Sequence, residues 1–432
     1  MNCYLRKFMF SDTVHPLWVI FCALFTLVGL SGCEKSIPGD VSQLRTTVIE
    51  HSYAAGKDIE IAVVWHKDIK QFRDGAILAA EEINAEGGID GHNIRLHFTE
   101  ASSFLKKHNV DRTNQGGAYR STKQLAGSDI AHTVVARSNV AAVISAGTPV
   151  ESTLASVIVY QEHGLLVMNA SSSNSSIDWM GSDLYFQLLP ENQVLAKNIA
   201  TKLTQQRWEK VFIAYVDTAQ EREIIALVSA EFLNGGVQLV GSHGMQLNDG
   251  PKNVDYQGRV SASLAYLRDS EADAIILLMP PKLSAQVIQT AREVGVLQPF
   301  FIGREFNAPK QFIDIVGEHG LGTRTTTLYR ANDYQVKRFE KKFNTRFTDS
   351  NPDVSAMMGY DSVRLYAQGV AIAKTIVPIR VSEALNYRLP IWFGLLGSYS
   401  FSEGKSVNID YSLQQLISHK DGTLGFVADD EN

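Results

Sequence analysis

A search for side chains able to do covalent or acid–base chemistry along this 432-residue chain returns little. There is no glycine loop ending in Gly-Lys-Ser/Thr, no Gly-x-Ser-x-Gly elbow, no His-Glu-x-x-His, and no dinucleotide fingerprint after the first strand-like run. Ser402-Glu-Gly-Lys405 fits Ser-x-x-Lys in form, but it stands in a turn-like stretch near the C-terminus without companion motifs. His92 and His97 are the nearest useful imidazole pair. One falls on a turn and the other on the next strand, where odd spacing would send them to opposite faces, so they make a poor metal site. No metal, no cofactor and no catalytic centre is expected. The polar groups that remain lie in short loops that follow apolar runs, which is where a binding protein holds a ligand.

The N-terminal region carries a different chemistry. Arg6 and Lys7 precede the uncharged run Leu17 to Leu30, about 14 residues long and short of the roughly 20 that a membrane-crossing helix needs. Leu30-Ser31-Gly32-Cys33 then resembles the lipobox of bacterial lipoproteins, which implies cleavage before Cys33 and acylation of that residue. Cys3 and Cys22 would leave with the leader, so Cys33 would be the single cysteine, and neither a disulfide nor a thiolate metal site would remain. A chain of this size buries enough surface to be stable without crosslinks. Several acyl chains at about 0.8 kcal/mol per buried methylene make an effectively permanent anchor, a protein held on a membrane without spanning it. Loss of Arg6, Lys7 and Asp12 with the leader changes the formal net charge from −6 to −7, which argues against a nucleic-acid partner.

The elements that must position the polar loops follow from periodicity. Short β-branched runs at Ile59–Trp65, Ile94–Phe98, Val140–Ile144, Leu165–Met168, Val211–Val216, Val237–Gly241, Ala274–Leu278 and Phe300–Ile302 alternate with helical patterns. Phe72, Ala76, Ala79, Ala80 and Ile83 share one helix face, and Gly87-Gly88 ends that helix. Further helices are expected over Ser152–His163, Gln193–Gln205, Ile224–Leu233, Leu283–Val294 and Ala356–Ala373. So many βα units exceed one ordinary domain and predict two open parallel sheets.

The seventeen-residue segment from Gly75 to Gly91, Gly-Ala-Ile-Leu-Ala-Ala-Glu-Glu-Ile-Asn-Ala-Glu-Gly-Gly-Ile-Asp-Gly, is similar to the opening helix and turn of the branched-chain amino-acid (Leu/Ile/Val) binding proteins. Val140 to Ile177, Ala285 to Glu305 and Met358-Gly-Tyr-Asp-Ser-Val-Arg364 resemble later parts of the same family in the same order. The resemblance implies the type I periplasmic binding fold: α/β, two doubly wound parallel-sheet lobes joined by three hinge crossings that close like a Venus flytrap. The crossings are expected near Tyr185–Pro190, Leu328–Asn332 and Gly397–Phe401. The expected division is a leader over 1–32, a lipidated N-terminus and tether over 33–57, and a first lobe over 58–186. A second lobe over 187–329 would follow, its return boundary falling within 303–330. First-lobe or hinge-return segments would occupy 330–397, and 398–432 would return to the second lobe with a C-terminal tail.

The resemblance also implies ligand contacts. Thr148, Ser171 and Ser173 would donate to a ligand carboxylate, helped by the positive end of the helix beginning near Glu151. Glu305, after a late strand, would meet an ammonium. All four are expected to follow strands of the first lobe. Trp65, at the end of the first strand, would stack on the ligand from the cleft lip, and Asp217 would stand at the mouth of the second lobe. The sequence departs from the family at Thr218–Arg222 and at Met279-Pro280-Pro281-Lys282, where two ligand-facing aromatics are missing. The function implied is that of a small-molecule receptor, extracytoplasmic and lipid-anchored, for an amino acid or derivative, serving a membrane permease of the ABC type. The alternative is a ligand-sensing or regulatory lipoprotein acting on a membrane kinase or a cell-wall synthase.

Overall fold

The structure is a computed structural model and describes residues 39–110, 122–170, 183–245, 268, 271–303, 309–328, 333–348, 352–402, 405–406 and 411–429. The chain opens with α1 (Gly39–Ala54), β1 (Ile59–Trp65), α2 (Lys70–Ala85), β2 (Ile94–Glu100), α3 (Ala101–Val110), α4 (Thr122–Val135), β3 (Val140–Ser145), α5 (Val150–Glu162), β4 (Leu166–Asn169) and β5 (Tyr185–Gln187). It continues with α6 (Asn192–Gln205), β6 (Lys210–Val216), α7 (Ala219–Gly235), β7 (Gln238–Met245), β8 (Ala274–Leu278), α8 (Pro281–Glu293), β9 (Phe300–Ile302), α9 (Pro309–Val316) and β10 (Arg324–Thr327). The last part holds α10 (Tyr334–Arg346), α11 (Val354–Ala373), α12 (Pro378–Glu383), β11 (Trp392–Phe393), β12 (Ser398–Tyr399), β13 (Phe401–Ser402), β14 (Lys405–Ser406), β15 (Ser412–Ser418) and β16 (Leu424–Ala428).

Two sheets result. The first has the order β13-β14-β5-β4-β3-β1-β2 and the second β16-β15-β10-β9-β8-β6-β7. Five consecutive parallel strands form the body of each, with β14 a sixth in the first, and the order 2-1-3-4-5 of the first recurs as 7-6-8-9-10 in the second. Both faces of such a sheet must be covered, so its strands read as nearly unbroken apolar runs. Along β1, Ile59, Ile61 and Val63 face the core shared with α2 and α11, while Ala62 and Val64 face the one shared with α4 and α5. The second sheet is divided in the same way, with Ile213 and Ile276 on the side of α6 and α7, and Phe212, Ala214 and Leu277 on the side of α8 and α9.

Two expectations need correction. Residues 33–57 were expected to form a tether, but from Gly39 to Ala54 the chain is a helix docked on the first lobe. Ile49 is fully buried, and the buried Arg45 guanidinium donates to the carbonyls of Val135 at 2.5 Å, Arg137 at 2.8 Å and Val140 at 3.2 Å. Those carbonyls belong to the end of α4 and the start of β3, so a cation, which shows no apolar periodicity, fixes the helix. The third crossing was expected at Gly397–Phe401. Instead β13 and β14 pair with each other and β14 joins β5, so the chain is still in the first sheet at Ser406 and enters the second only at β15. The boundary set at 398 therefore falls too early. The other two passages between sheets are Leu188–Glu191, which links β5 to α6, and 328–333, which links β10 to α10.

Candidate functional site

In an open α/β sheet the crevice lies outside the carboxyl ends of the strands, at the point where strand order reverses. Here those points are the gap between β1 and β3 in the first sheet and between β6 and β8 in the second. The crossings bring the same edges to the hinge. Only four residues separate the carboxyl end of β5 from α6, and β10 leaves the second sheet at its own carboxyl end.

At the first switch point β1 ends at Trp65, and the loop after it holds His66 and a short turn over Lys67–Ile69. The His66 ring caps that turn by accepting the Asp68 N–H at 3.3 Å, and Ser102 Oγ accepts the Lys67 N–H at 3.1 Å. The loop after β3 begins with Ala146, whose N–H bonds to the Val64 carbonyl at 3.0 Å. Gly147 follows with φ +75°, and a Cβ there would come within 2.6 Å of Ile69 Cδ1 and 2.9 Å of His66 Cβ. Two loops from neighbouring strands thus interlock, and only glycine fits the contact. Trp65 is half-buried, with the Arg73 guanidinium 5.1 Å from its ring centroid and Arg73 itself paired to Asp74 at 2.8 Å. That cation takes one ring face, and the half-buried ring also packs against the core of the first lobe.

Thr148 Oγ1 lies 2.8 Å from Thr153 Oγ1. Thr153 Oγ1 also donates to the Pro149 carbonyl at 3.2 Å, and with its one proton spent there it accepts from Thr148, whose own lone pairs stay open to a donor. No side chain caps the start of α5 at Pro149, so its first N–H groups suit an anion. Glu151 in the first turn offsets part of that field and is in turn paired with Lys123 at 3.7 Å. Ser171 and Ser173 lie outside the described residues. Just before them, Asn169 ends β4 fully buried, and Gln187 ends β5 with 1% of its surface exposed. Both are polar groups at the carboxyl edge that sequence reasoning passed over; the available signal was a carboxamide closing an apolar run.

The second switch point is less open. Asp217 follows β6, its N–H bonds to the Met245 carbonyl at 2.8 Å, and its carboxylate forms an ion pair with Arg222. The cap of α7 is Thr218. Met279, after β8, is fully buried in the core of the second lobe and is followed by Pro280 and Pro281. Glu305 lies outside the described residues, but β9, the strand before it, is in the second sheet with parallel neighbours β8 and β10. The expectation that it follows a first-lobe strand, together with Thr148, Ser171 and Ser173, is thereby corrected. The structure brings Trp65 and Thr148 to one edge and Asp217 to the other.

His92 and His97 take structural parts. His92 stacks on Tyr53 with centroids 4.1 Å apart, and His97 bonds to Glu60 on the neighbouring strand. Ser402 and Lys405 are register partners in the β13–β14 hairpin.

Comparison with solved structures places this architecture among known proteins. An ABC transporter substrate-binding protein from Desulfitobacterium hafniense in complex with Leu superposes with a TM-score of 0.67 at 20% identity, covering 86% of this chain and 100% of that one. The branched-chain amino acid transporter substrate binding protein LivJ from Streptococcus pneumoniae, in complex with isoleucine, gives 0.67 at 18% identity, with 86% and 99% covered. The leucine binding protein LivK from Thermotoga maritima gives 0.66 at 16% identity, with 87% and 100% covered. A search of curated protein sequences finds no relative. The model of the family described as periplasmic binding protein matches residues 122–422, well over half of the sequence and both sheets. With two doubly wound lobes that repeat one strand order and turn their carboxyl edges to a common hinge, the chain belongs to the periplasmic binding protein family.

Proposed function

We propose that this protein is an extracytoplasmic, lipid-anchored solute receptor that closes on a small polar ligand, an amino acid or derivative, and presents it to the permease of an ABC-type transporter. The observation that carries the reading is the pair of switch points, β1/β3 and β6/β8, set at the carboxyl edges from which the crossings leave. Ser171 and Ser173 hold the ligand's acidic end beside the start of α5, and Thr148 offers its lone pairs to a donor on the ligand. Glu305 meets its ammonium from the second sheet's side, and Trp65 covers it at the lip. Asp217 contributes least, because Arg222 already neutralises it. The leader that ends at Leu30-Ser31-Gly32-Cys33 supports acylation of Cys33. Intact-mass analysis of protein from the membrane fraction should show acyl groups on Cys33, and an unmodified mature N-terminus would refute the anchor.

A thermal-shift screen of amino acids, amides and polyamines tests the receptor reading, since a ligand at 100 times its Kd adds about 2.7 kcal/mol. With the ligand identified, Glu305→Gln should weaken binding about 30-fold or more, because removing one partner of a buried charge pair costs about 2–5 kcal/mol. Ser171→Ala should cost about 0.5–1.5 kcal/mol as one donor among several. Unchanged affinity of Glu305→Gln in calorimetry would overturn the amino-acid reading. The regulatory alternative draws on the second lobe, where Met279 is buried and Asp217 is occupied. A screen without any stabilising compound would favour it.

A further inference from the structure

Helix α10 carries Tyr334, Arg338 and Lys342 at steps of four residues, so the three side chains follow one another along one face. That face, with α11 and the β11–β12 hairpin, bounds a groove of about 430 Å³ whose residues are none of those at the sheet edges described above. The volume falls within the range of about 300–1,000 Å³ typical of small-molecule sites. Its charges do not cancel. Glu82, from α2, accepts from Lys342 Nζ at 2.7 Å, Tyr360 Oη at 2.8 Å and Arg364 Nη2 at 2.6 Å. Burial works to raise the Glu82 pKa, but these three donors outweigh it and hold the carboxyl below its usual range. The carboxylate is charged, and three of its roughly four acceptor positions are taken. Glu86 meets Arg364 at 3.3 Å, so Lys342 and Arg364 balance Glu82 and Glu86; the third carboxyl on the groove, Asp361, is buried and held by the Leu395 and Leu396 N–H groups and Tyr399 Oη, and Arg338 is left over. Among the described residues Arg338 has no ion-pair partner.

The rings at the mouth are likewise unused. Tyr334 is 77% exposed and Phe393 67% exposed, and among the described residues neither stacks on another ring. Single exposed apolar side chains are ordinary, but two large rings and an unpaired guanidinium lining one groove are a matched set. Aromatic faces take a planar apolar body in offset or edge-on contact, and the guanidinium fork takes a carboxylate through two parallel hydrogen bonds. We propose that this groove is a second ligand site, which binds a small aromatic carboxylate with its ring between Tyr334 and Phe393 and its carboxylate on Arg338. A cationic ligand would meet Arg338 and would find Glu82, Glu86 and Asp361 already engaged.

The test uses Trp392, which lines the same groove. The protein is labelled with 5-fluorotryptophan, the Trp392 resonance is assigned through Trp392→Phe, and the probe is 1-naphthoate. The Trp392 signal should move saturably, with Trp65 and Trp208 unmoved, and an amino acid that saturates the interlobe cleft should not displace the probe. Arg338→Gln, a change at an exposed position, should weaken binding about tenfold or more, and Phe393→Ala should weaken it as well. 1-Naphthylmethylammonium, with the same ring and the opposite charge, should leave the signal in place. The proposal fails if naphthoate at millimolar concentration leaves Trp392 unmoved, if Arg338→Gln binds as tightly as the parent, or if the ammonium compound binds equally well.

Discussion

Gly75→Ala and Gly359→Ala should each destabilise the protein by about 3 kcal/mol or more, although each adds a single methyl group. A Cβ built on Gly75 comes within 1.9 Å of the Ala356 carbonyl oxygen, and one built on Gly359 comes within 2.0 Å of the Phe72 carbonyl oxygen. Both obstacles are backbone, so no side chain can turn aside. Helices α2 and α11 would have to move apart, and they carry the fully buried Phe72, Ala76, Ala79, Ala356, Met357 and Val363 on one face of the first sheet. Separation there gives up packing along the whole crossing, which is why the expected cost sits at or beyond the upper end for overpacking. The two changes act on one contact and should be less than additive in the double variant. Gly235→Ala is the control: Gly235 ends α7 without a positive φ, its nearest obstacle is Thr204 Oγ1 at 3.5 Å, and alanine there should be neutral or stabilising by up to about 1 kcal/mol. Urea unfolding followed by circular dichroism decides. A Gly75→Ala protein within about 1 kcal/mol of the parent would mean that the helices do not approach so closely.

The seventeen-residue segment that carried the family resemblance begins at Gly75, so the residue that looked like a motif is a packing requirement. Most parallel strands were legible for a related reason. Strands buried on both faces must be apolar throughout, and Ile59–Trp65, Ala274–Leu278 and Phe300–Ile302 were read with the bounds observed. What went unread obeys other rules. β10 is Arg-Thr-Thr-Thr, with its three threonines buried and Thr325 Oγ1 donating to the Ile302 carbonyl at 3.3 Å, and it shows no apolar run. α1 is anchored by a guanidinium. The β13–β14 pair has two residues per strand, too few for a period to register. α10 was within reach, since Val336, Phe339 and Phe343 recur at helical spacing and are buried. At the site, Trp65, Thr148 and Asp217 were placed by their position after apolar runs, but their partners Arg73, Thr153 and Arg222 were not, because pairing depends on side-chain direction and not on order along the chain.

Between about pH 4 and pH 7, Asp361→Asn should gain on the parent by about 4 kcal/mol in unfolding free energy, through a carboxyl that was read only as part of the late-helix motif Met358 to Arg364. Asp361 is 1% exposed on α11 and accepts from the Leu395 N–H at 3.0 Å, the Leu396 N–H at 3.2 Å and Tyr399 Oη at 3.2 Å. Burial is the largest influence and pushes its pKa up from 3.8 to about 7, with the three donors pulling the other way. In that window the folded protein holds a proton that the unfolded chain has released, so stability from this group falls as pH rises and levels off above about 7. Asparagine has no charge to desolvate. The difference between the two proteins should therefore move toward the variant across the window and stay constant on either side of it, and Glu82, whose pKa is shifted the other way, cancels in the subtraction. Paired urea titrations at pH 4, 5, 6, 7 and 8 measure it, and a flat difference would show that the three donors fully compensate burial. The site also admits a steric check. A Cβ on Gly394 would lie 2.5 Å from Asp361 Oδ2, so Gly394→Ala should expel the carboxylate from its donors at every pH and free the β11–β12 hairpin. Because that hairpin leads through β13 and β14 into the third crossing, its release should appear first as protease cleavage between Leu389 and Tyr399, ahead of global unfolding.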